Sequence, residues 1–196
     1  MDLIFATANK HKLYEAQAIL GDRFTLIVPA QLGLTEDIPE TAETLSENAQ
    51  MKARFLWEKF GKPCFADDTG LEVDFLNGRP GVYSARYAGL EADPLKNMQK
   101  LLKELNGSTC RKARFLTVVA LILGEGSLFM FEGSLEGSIL ETVSGSGGFG
   151  YDPLFLPEGF SKTLAELPPD EKNRISHRGI AMRKLSFFLN NNLPSK

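Results

Sequence analysis

The first apolar run, Asp2 to Ala6, has strand length and gives way to a polar loop, Thr7 to Lys12. Beyond the loop Leu13, Ala16, Gln17 and Leu20 recur at helical spacing, and Gly21 supplies a stop. Phe24 to Val28 predicts a second strand. Thr44 and Glu47 form a capping box that opens a helix running to about Phe60, where Gly61 and Pro63 end it. Cys64 to Ala66 reads as a buried strand that stops at Asp67-Asp68-Thr69-Gly70. Asp93-Pro94 starts another helix, with Leu95, Met98, Leu101, Leu102 and Leu105 on one face and Gly107 beyond it. The rhythm then turns to strands: Arg114 to Leu123, Ser127 to Glu132 and Ser134 to Glu141. A glycine-rich stretch, SGSGGFGYDP, follows. A polar segment from Ser161 leads to Ser176, which predicts the N-cap of a final helix ending near Asn191. Helices and strands intermix without strict alternation, so the expected fold is mixed α/β, a single domain over 1–196 with two lobes around a cleft.

Composition narrows the function. The chain has 196 residues, 43% apolar and 24% charged, which suits a soluble domain with a substantial core. A net charge of −3 without a basic tract gives no electrostatic reason to expect a nucleic-acid polymer as partner. No apolar run reaches the ~18 residues of a membrane span. The start, MDLIFATANK, lacks the basic region and cleavage site of a signal peptide, so a cytoplasmic location is expected. Two cysteines, Cys64 and Cys110, are too few for a disulfide framework or a thiolate metal site. Glycine is the one excess, and six of the 18 fall between 133 and 150.

Five segments carry candidate chemistry. Thr7, Ala8, Asn9, Lys10, His11 and Lys12 lie between a strand and a helix start, where backbone N–H groups and lysines suit a polyphosphate. Plain helix capping accounts for the same residues. Lys52 falls on the buried stripe of Leu45, Ala49, Leu56 and Phe60, with Asn48 close beside it on the wheel. A lysine there must snorkel, pair, or reach a ligand. Asp67 and Asp68 at a strand end repel one another unless a cation intervenes, and hard oxygen donors suit Mg²⁺, with Glu36, Asp37, Glu40 and Glu43 available for a further ligand. The alternative is a turn, in which paired Asp residues are common.

Around Phe149, Gly150, Tyr151 and Asp152, glycines permit close approach and two aromatics offer flat faces for a ring. Lys172 with Ser176-His177-Arg178 supplies donors at a helix start, and a guanidinium fork suits carbonyl or phosphate oxygens. Two histidines exclude a three-His zinc site. A polyphosphate cradle, a magnesium site, an aromatic platform and base-edge donors together describe a nucleotide.

The segments TANKHK, ENAQMKA, FADDTGLEVD, PGVYSARYAG, GGFGYDPLF and KTLAELPPDEKNRISHRGIA occur in that order across nearly the whole chain. In this the sequence resembles the inosine triphosphate pyrophosphatase family. The departures are small: Ala8 stands where glycine is frequent, and Thr69 where serine is. The resemblance implies an elongated two-lobed α/β fold around a long mixed central sheet flanked by helices, working as a homodimer. It implies hydrolysis of ITP, dITP and XTP to the monophosphate and pyrophosphate with Mg²⁺, clearing them from the nucleotide pool. It further implies that Asp68 is both the catalytic acid–base and a metal ligand, and that Glu40 is the other ligand. Residues 7–12 and Lys52 would serve the triphosphate. Thr69, Phe149 to Asp152, Lys172, His177 and Arg178 would complete the substrate set, with the last two at the base. The rival readings are a pyrophosphatase for modified pyrimidine nucleotides and a catalytically silent nucleotide sensor.

Overall fold

Short-range signals set most of the helix ends. In the computed structural model, which describes residues 1–193, helix α1 (Lys10–Leu20) is capped by Asn9 and α2 (Leu45–Phe60) by Thr44. Gly61 closes α2 in the left-handed conformation, and Asp93 caps α3 (Pro94–Glu104). Two helices complete the set, α4 (Pro169–Ile175) and α5 (His177–Asn192). The strands are β1 (Asp2–Phe5), β2 (Thr25–Ile27), β3 (Cys64–Val73), β4 (Pro80–Gly81), β5 (Lys112–Ile122), β6 (Phe129–Ile139) and β7 (Phe155–Pro157). They form one mixed sheet in the order β2-β1-β3-β5-β6-β7, with β4 paired to β3 off that path. β1 runs parallel to both β2 and β3, whereas β4 is antiparallel to β3 and β7 to β6. The expected mixed α/β class is the observed one. The last positions of the span 1–196 lie outside the described residues.

Four local expectations change. β3 does not stop at Asp67 but continues through Asp68, Thr69 and Gly70 to Val73, because partners elsewhere in the chain neutralise both carboxylates. The two strands expected on either side of Gly133 are one strand, β6. On α3 the buried face is Asn97, Met98 and Leu101, while Leu95 is 65% exposed. Asn97 is buried because its amide spans two loop groups, donating to the carbonyl of Ala85 at 2.8 Å and accepting from the N–H of Ala88 at 2.7 Å. The polar segment before Ser176 contains the short helix α4, and β7 adds a strand that the apolar rhythm did not reveal.

The chain resolves into two compact units, and it passes from one to the other four times. Unit 1 comprises Met1–Asp68, Thr117–Gly133 and the chain from Arg178 onward; unit 2 comprises Thr69–Leu116 and Ser134–His177. The core of unit 1 gathers Leu3, Phe5, Phe65, Leu121, Met182 and Leu185, with the Phe5 and Phe65 rings stacked at 4.4 Å. Each such side chain, fully withdrawn from water, contributes roughly 1.5–3 kcal/mol. In unit 2 the core gathers Leu71, Leu101, Leu105, Tyr151, Phe155 and Leu164. Arg111 braces it from the edge, donating to the carbonyl oxygens of Leu105, Ile139 and Leu140.

Candidate active site

Successive residues of a strand face opposite ways, and β3 uses this to separate its two adjacent carboxylates. Asp67, wholly buried, meets Lys12 of α1 at 3.0 Å and the Arg178 Nε of α5 at 3.2 Å. Arg178 Nη1 continues the row to Glu15 of α1 at 2.6 Å. Asp68 faces α2 instead: Lys52 Nζ lies 3.3 Å from its Oδ1, and Asn48 Nδ2 donates to its Oδ2 at 3.2 Å. The same Lys52 ammonium stands 2.5 Å from Glu40 Oε1. All of these groups belong to unit 1.

The two carboxylates are tuned in opposite directions. Burial alone would raise the Asp67 pKa, but Lys12, Arg178 and Lys52 together hold it far below the usual carboxylate range. Burial does raise the pKa of Asp68, with Glu40 and Asp67 adding to it against the opposing pull of Lys52 and Lys12. Burial lowers the Lys12 pKa, and Arg178 and Lys52 add to this against the pull of Asp67. Lys52 is raised, since Asp68, Asp67 and Glu40 outweigh the burial that would lower it. Asp67 is therefore a fixed charge, and Asp68 a carboxylate whose proton affinity is enhanced.

The loop ahead of α1 is first of all a cap. Asn9 Oδ1 accepts from the N–H groups of His11 at 2.9 Å and Lys12 at 3.3 Å, and Thr7 Oγ1 accepts from the N–H of Asn9 at 3.0 Å. Ala8, Lys10 and His11 are exposed, while Lys12 turns inward to Asp67. Of the six loop residues, Lys10 and His11 are therefore the exposed ionisable ones.

In unit 2 the glycine-rich stretch folds onto its own chain. A Cβ on Gly145 or Gly147 would come within 2.8 Å of Ala165 backbone, so close chain-to-chain approach explains both. Asp152 Oδ2 accepts from the N–H of Phe149 and from Lys172 Nζ, each at 2.8 Å, and that ammonium lies 4.8 Å from the centre of the Phe149 ring. Phe149, Asp152 and Lys172 thus form one group. Tyr151 leaves it: its ring enters the core and its hydroxyl donates to the Ser84 carbonyl at 2.9 Å. His177 is buried, its ring stacked on Phe115 at 4.7 Å. Arg178, grouped with His177 at the base by the sequence reading, turns to Asp67 and Glu15 in unit 1. Thr69 is half-buried on β3, and Gly150 is half-buried in the loop.

Sequence reasoning missed Glu15 and gave Asn48 no role. Both carried a weak signal, because Lys12 and Glu15 lie three apart on one helix face, and Asn48 and Lys52 four apart on another. Among the described residues no three His, Cys, Asp or Glu side chains cluster as a metal cage. Glu40 and Asp68 nevertheless suit Mg²⁺, which typically takes one or two carboxylates and fills its remaining positions with water and phosphate. Both already share one cation, the Lys52 ammonium.

A sequence profile of the Ham1 family matches residues 3–188. The dITP/XTP pyrophosphatases of Flavobacterium johnsoniae and Porphyromonas gingivalis are each 51% identical to this chain, aligned over 94% and 95% of it and 96% of each relative. Among solved structures, the Ham1 protein of Staphylococcus aureus superposes with a TM-score of 0.90 at 35% identity, over 98% of this chain and all of that one. The nucleoside-triphosphatase (dITP/XTP pyrophosphatase) of Mycobacterium abscessus superposes with a TM-score of 0.77 at 39% identity, over 94% of this chain and 97% of that one. Arrived at from both directions, by profile and by superposition, the chain belongs to the Ham1 family.

Proposed function

We propose that this protein hydrolyses deaminated purine nucleoside triphosphates, ITP, dITP and XTP, to the monophosphate and pyrophosphate. The observation that carries the reading is the Asp68 carboxylate, held at one oxygen by Lys52 and at the other by Asn48, with Glu40 on the same Lys52 ammonium. Its setting is a chain half-identical to proteins named for dITP and XTP pyrophosphatase activity.

Cleaving a phosphoanhydride requires a water placed in line and charge neutralised on the phosphates. Asp68, oriented by Lys52 at one oxygen and Asn48 at the other, takes the proton of the attacking water. Lys52, Lys10 and His11, with the positive end of the α1 dipole, answer the negative charge of the polyphosphate. Asp67, permanently ionised, fixes Lys12 and Arg178. Glu40 and Asp68 are the residues that would hold Mg²⁺, which when bound would supply further neutralisation of phosphate charge.

Phe149, Asp152, Lys172 and His177 serve the base and sugar. Hypoxanthine and xanthine carry a 6-oxo acceptor where adenine carries a donor, so a donor there leaves adenine with an unpaired polar group at a cost of roughly 1–3 kcal/mol. Guanine shares the 6-oxo group, and its rejection requires a pocket that disfavours a 2-amino group. The same reading takes residues 1–196 as one domain of a cytoplasmic homodimer that clears these nucleotides from the pool. Its support is the family resemblance and the ordinary soluble composition.

The test is release of pyrophosphate and monophosphate from ITP, dITP, XTP, GTP and ATP, with and without Mg²⁺. The deaminated substrates should exceed GTP and ATP at least tenfold in kcat/KM, about 1.4 kcal/mol of discrimination. Equal hydrolysis of GTP overturns the specificity, and release of inorganic phosphate in place of pyrophosphate overturns the reaction.

A further inference from the structure

Asn48 is 1% exposed, although it carries a carboxamide and is not the cap of its helix, a place taken by Thr44. Burying an amide is unfavourable unless its polar atoms are satisfied. Its two ends are satisfied by two different pieces of the candidate site. Oδ1 accepts from the backbone N–H of Ala42 at 2.9 Å, two residues beyond Glu40, and Nδ2 donates to Asp68 Oδ2 at 3.2 Å. A backbone N–H can only donate, so the oxygen of the amide must face Ala42 and its NH₂ must face Asp68. The orientation is fixed by chemistry alone.

We propose that Asn48 is a positioning residue that sets the separation of Glu40 and Asp68 and the orientation of the Asp68 carboxylate. The inference rests on the reading of these two acids as the metal-binding and catalytic pair. Asn48 and Lys52 stand one helical turn apart on α2 and take the two oxygens of Asp68, one each. Gripped at both oxygens, the carboxylate cannot turn about its own axis. At Oδ2 the grip is neutral, so Asn48 orients Asp68 without spending any of its charge. A lysine or arginine in its place would add a second cation beside the acid. An aspartate would keep the bond to Ala42 and lose the one to Asp68. Through Ala42, the amide also ties the stretch that carries Glu40 to the same helix turn, and so fixes one acid relative to the other.

The test uses the whole protein, with Mn²⁺ as the probe for the pair, and compares wild type with Asn48→Ala and Asn48→Asp. Mn²⁺ binding to the nucleotide-free protein is followed by electron paramagnetic resonance, and ITP turnover is followed in parallel. Asn48→Ala should weaken Mn²⁺ binding and lower kcat by roughly 10–100-fold each. The KM for ITP should move by less than about threefold. Asn48→Asp, which keeps the side-chain volume and the Ala42 bond, should still lower kcat at nearly constant KM; it decides the matter if circular dichroism shows the alanine variant unfolded.

Mn²⁺ affinity and kcat within about threefold of wild type in folded Asn48→Ala would overturn the proposal, as would an effect confined to KM. Glu40→Gln and Asp68→Asn run beside them. If those variants bind Mn²⁺ and turn over ITP like wild type, the reading of the acidic pair has failed and Asn48 falls with it. If they lose both while Asn48→Ala loses neither, the positioning role alone has failed.

Discussion

Replacing Asp67 with Asn should separate stability from chemistry on β3. Asp67 is wholly buried and meets two cations, Lys12 at 3.0 Å and Arg178 at 3.2 Å, the second of which also pairs with Glu15. In wild type these four side chains balance, two acids against two bases. Asparagine fills the volume and can still accept one hydrogen bond, but it leaves a buried positive charge without compensation. Removing one partner of a buried pair costs about 3–5 kcal/mol, and the retained hydrogen bond puts this variant near the lower end. With about 2–4 °C per kcal/mol for a chain of this length, melting should fall by roughly 6–12 °C.

The pH dependence follows the same logic. The folded-state pKa of Asp67 is depressed, so its contribution is fully present above its unfolded value of about 3.9 and is lost as pH falls toward the folded value. Urea titrations at neutral pH and at successively lower pH should therefore show the gap between variant and wild type closing in acid. Asp68→Asn should differ. Burial raises the Asp68 pKa while the Asp68 charge raises that of Lys52, so the two effects on stability oppose, and the amide should melt closer to wild type than Asp67→Asn does while turnover is abolished. A neutral-pH loss below about 1 kcal/mol for Asp67→Asn, or a gap that widens in acid, would refute the account of the buried row.

Two further outcomes can be checked directly. Burial pushes the Cys64 thiol up to about 12, whereas Cys110 is exposed, so native protein at pH 8 should titrate a single thiol with a disulfide reagent and denatured protein two. Gly148 has a φ of +67°, and a Cβ there would lie 2.1 Å from Asp152 Oδ2. Gly148→Ala should cost about 1–2 kcal/mol in melting experiments and raise the KM for ITP, by displacing the carboxylate that holds Phe149 and Lys172.

Legibility in the sequence followed the range of the interaction. α2 could be read nearly to the residue, since Thr44, Glu47 and Gly61 act within one turn of its ends. The resemblance pointed to Glu40, Lys52 and Asp68, and the structure brings those three together. The continuation of β3 past Asp67 could not be read. Two adjacent carboxylates resemble a turn until Lys12 and Arg178 are known to reach the first, and Arg178 lies 111 positions away in the chain. Tyr151 and Phe149 look alike as neighbours in a glycine-rich run. Only the Ser84 carbonyl, which accepts the Tyr151 hydroxyl, distinguishes a core ring from one beside an ammonium. Glu15 was missed for a related reason: its spacing from Lys12 was only a weak signal, and its partner is a residue of α5.

Neither compact unit is a continuous stretch of chain: one is assembled from three segments and the other from two. Two of the passages between them fall at the peptide bonds that join Asp68 to Thr69 and His177 to Arg178. No terminal truncation can therefore release either unit whole, and no simple gene fusion could have supplied one as a ready-made cassette. One strand, β3, ends a segment of the first unit at Asp68 and begins the second at Thr69, so a substitution on it acts on both.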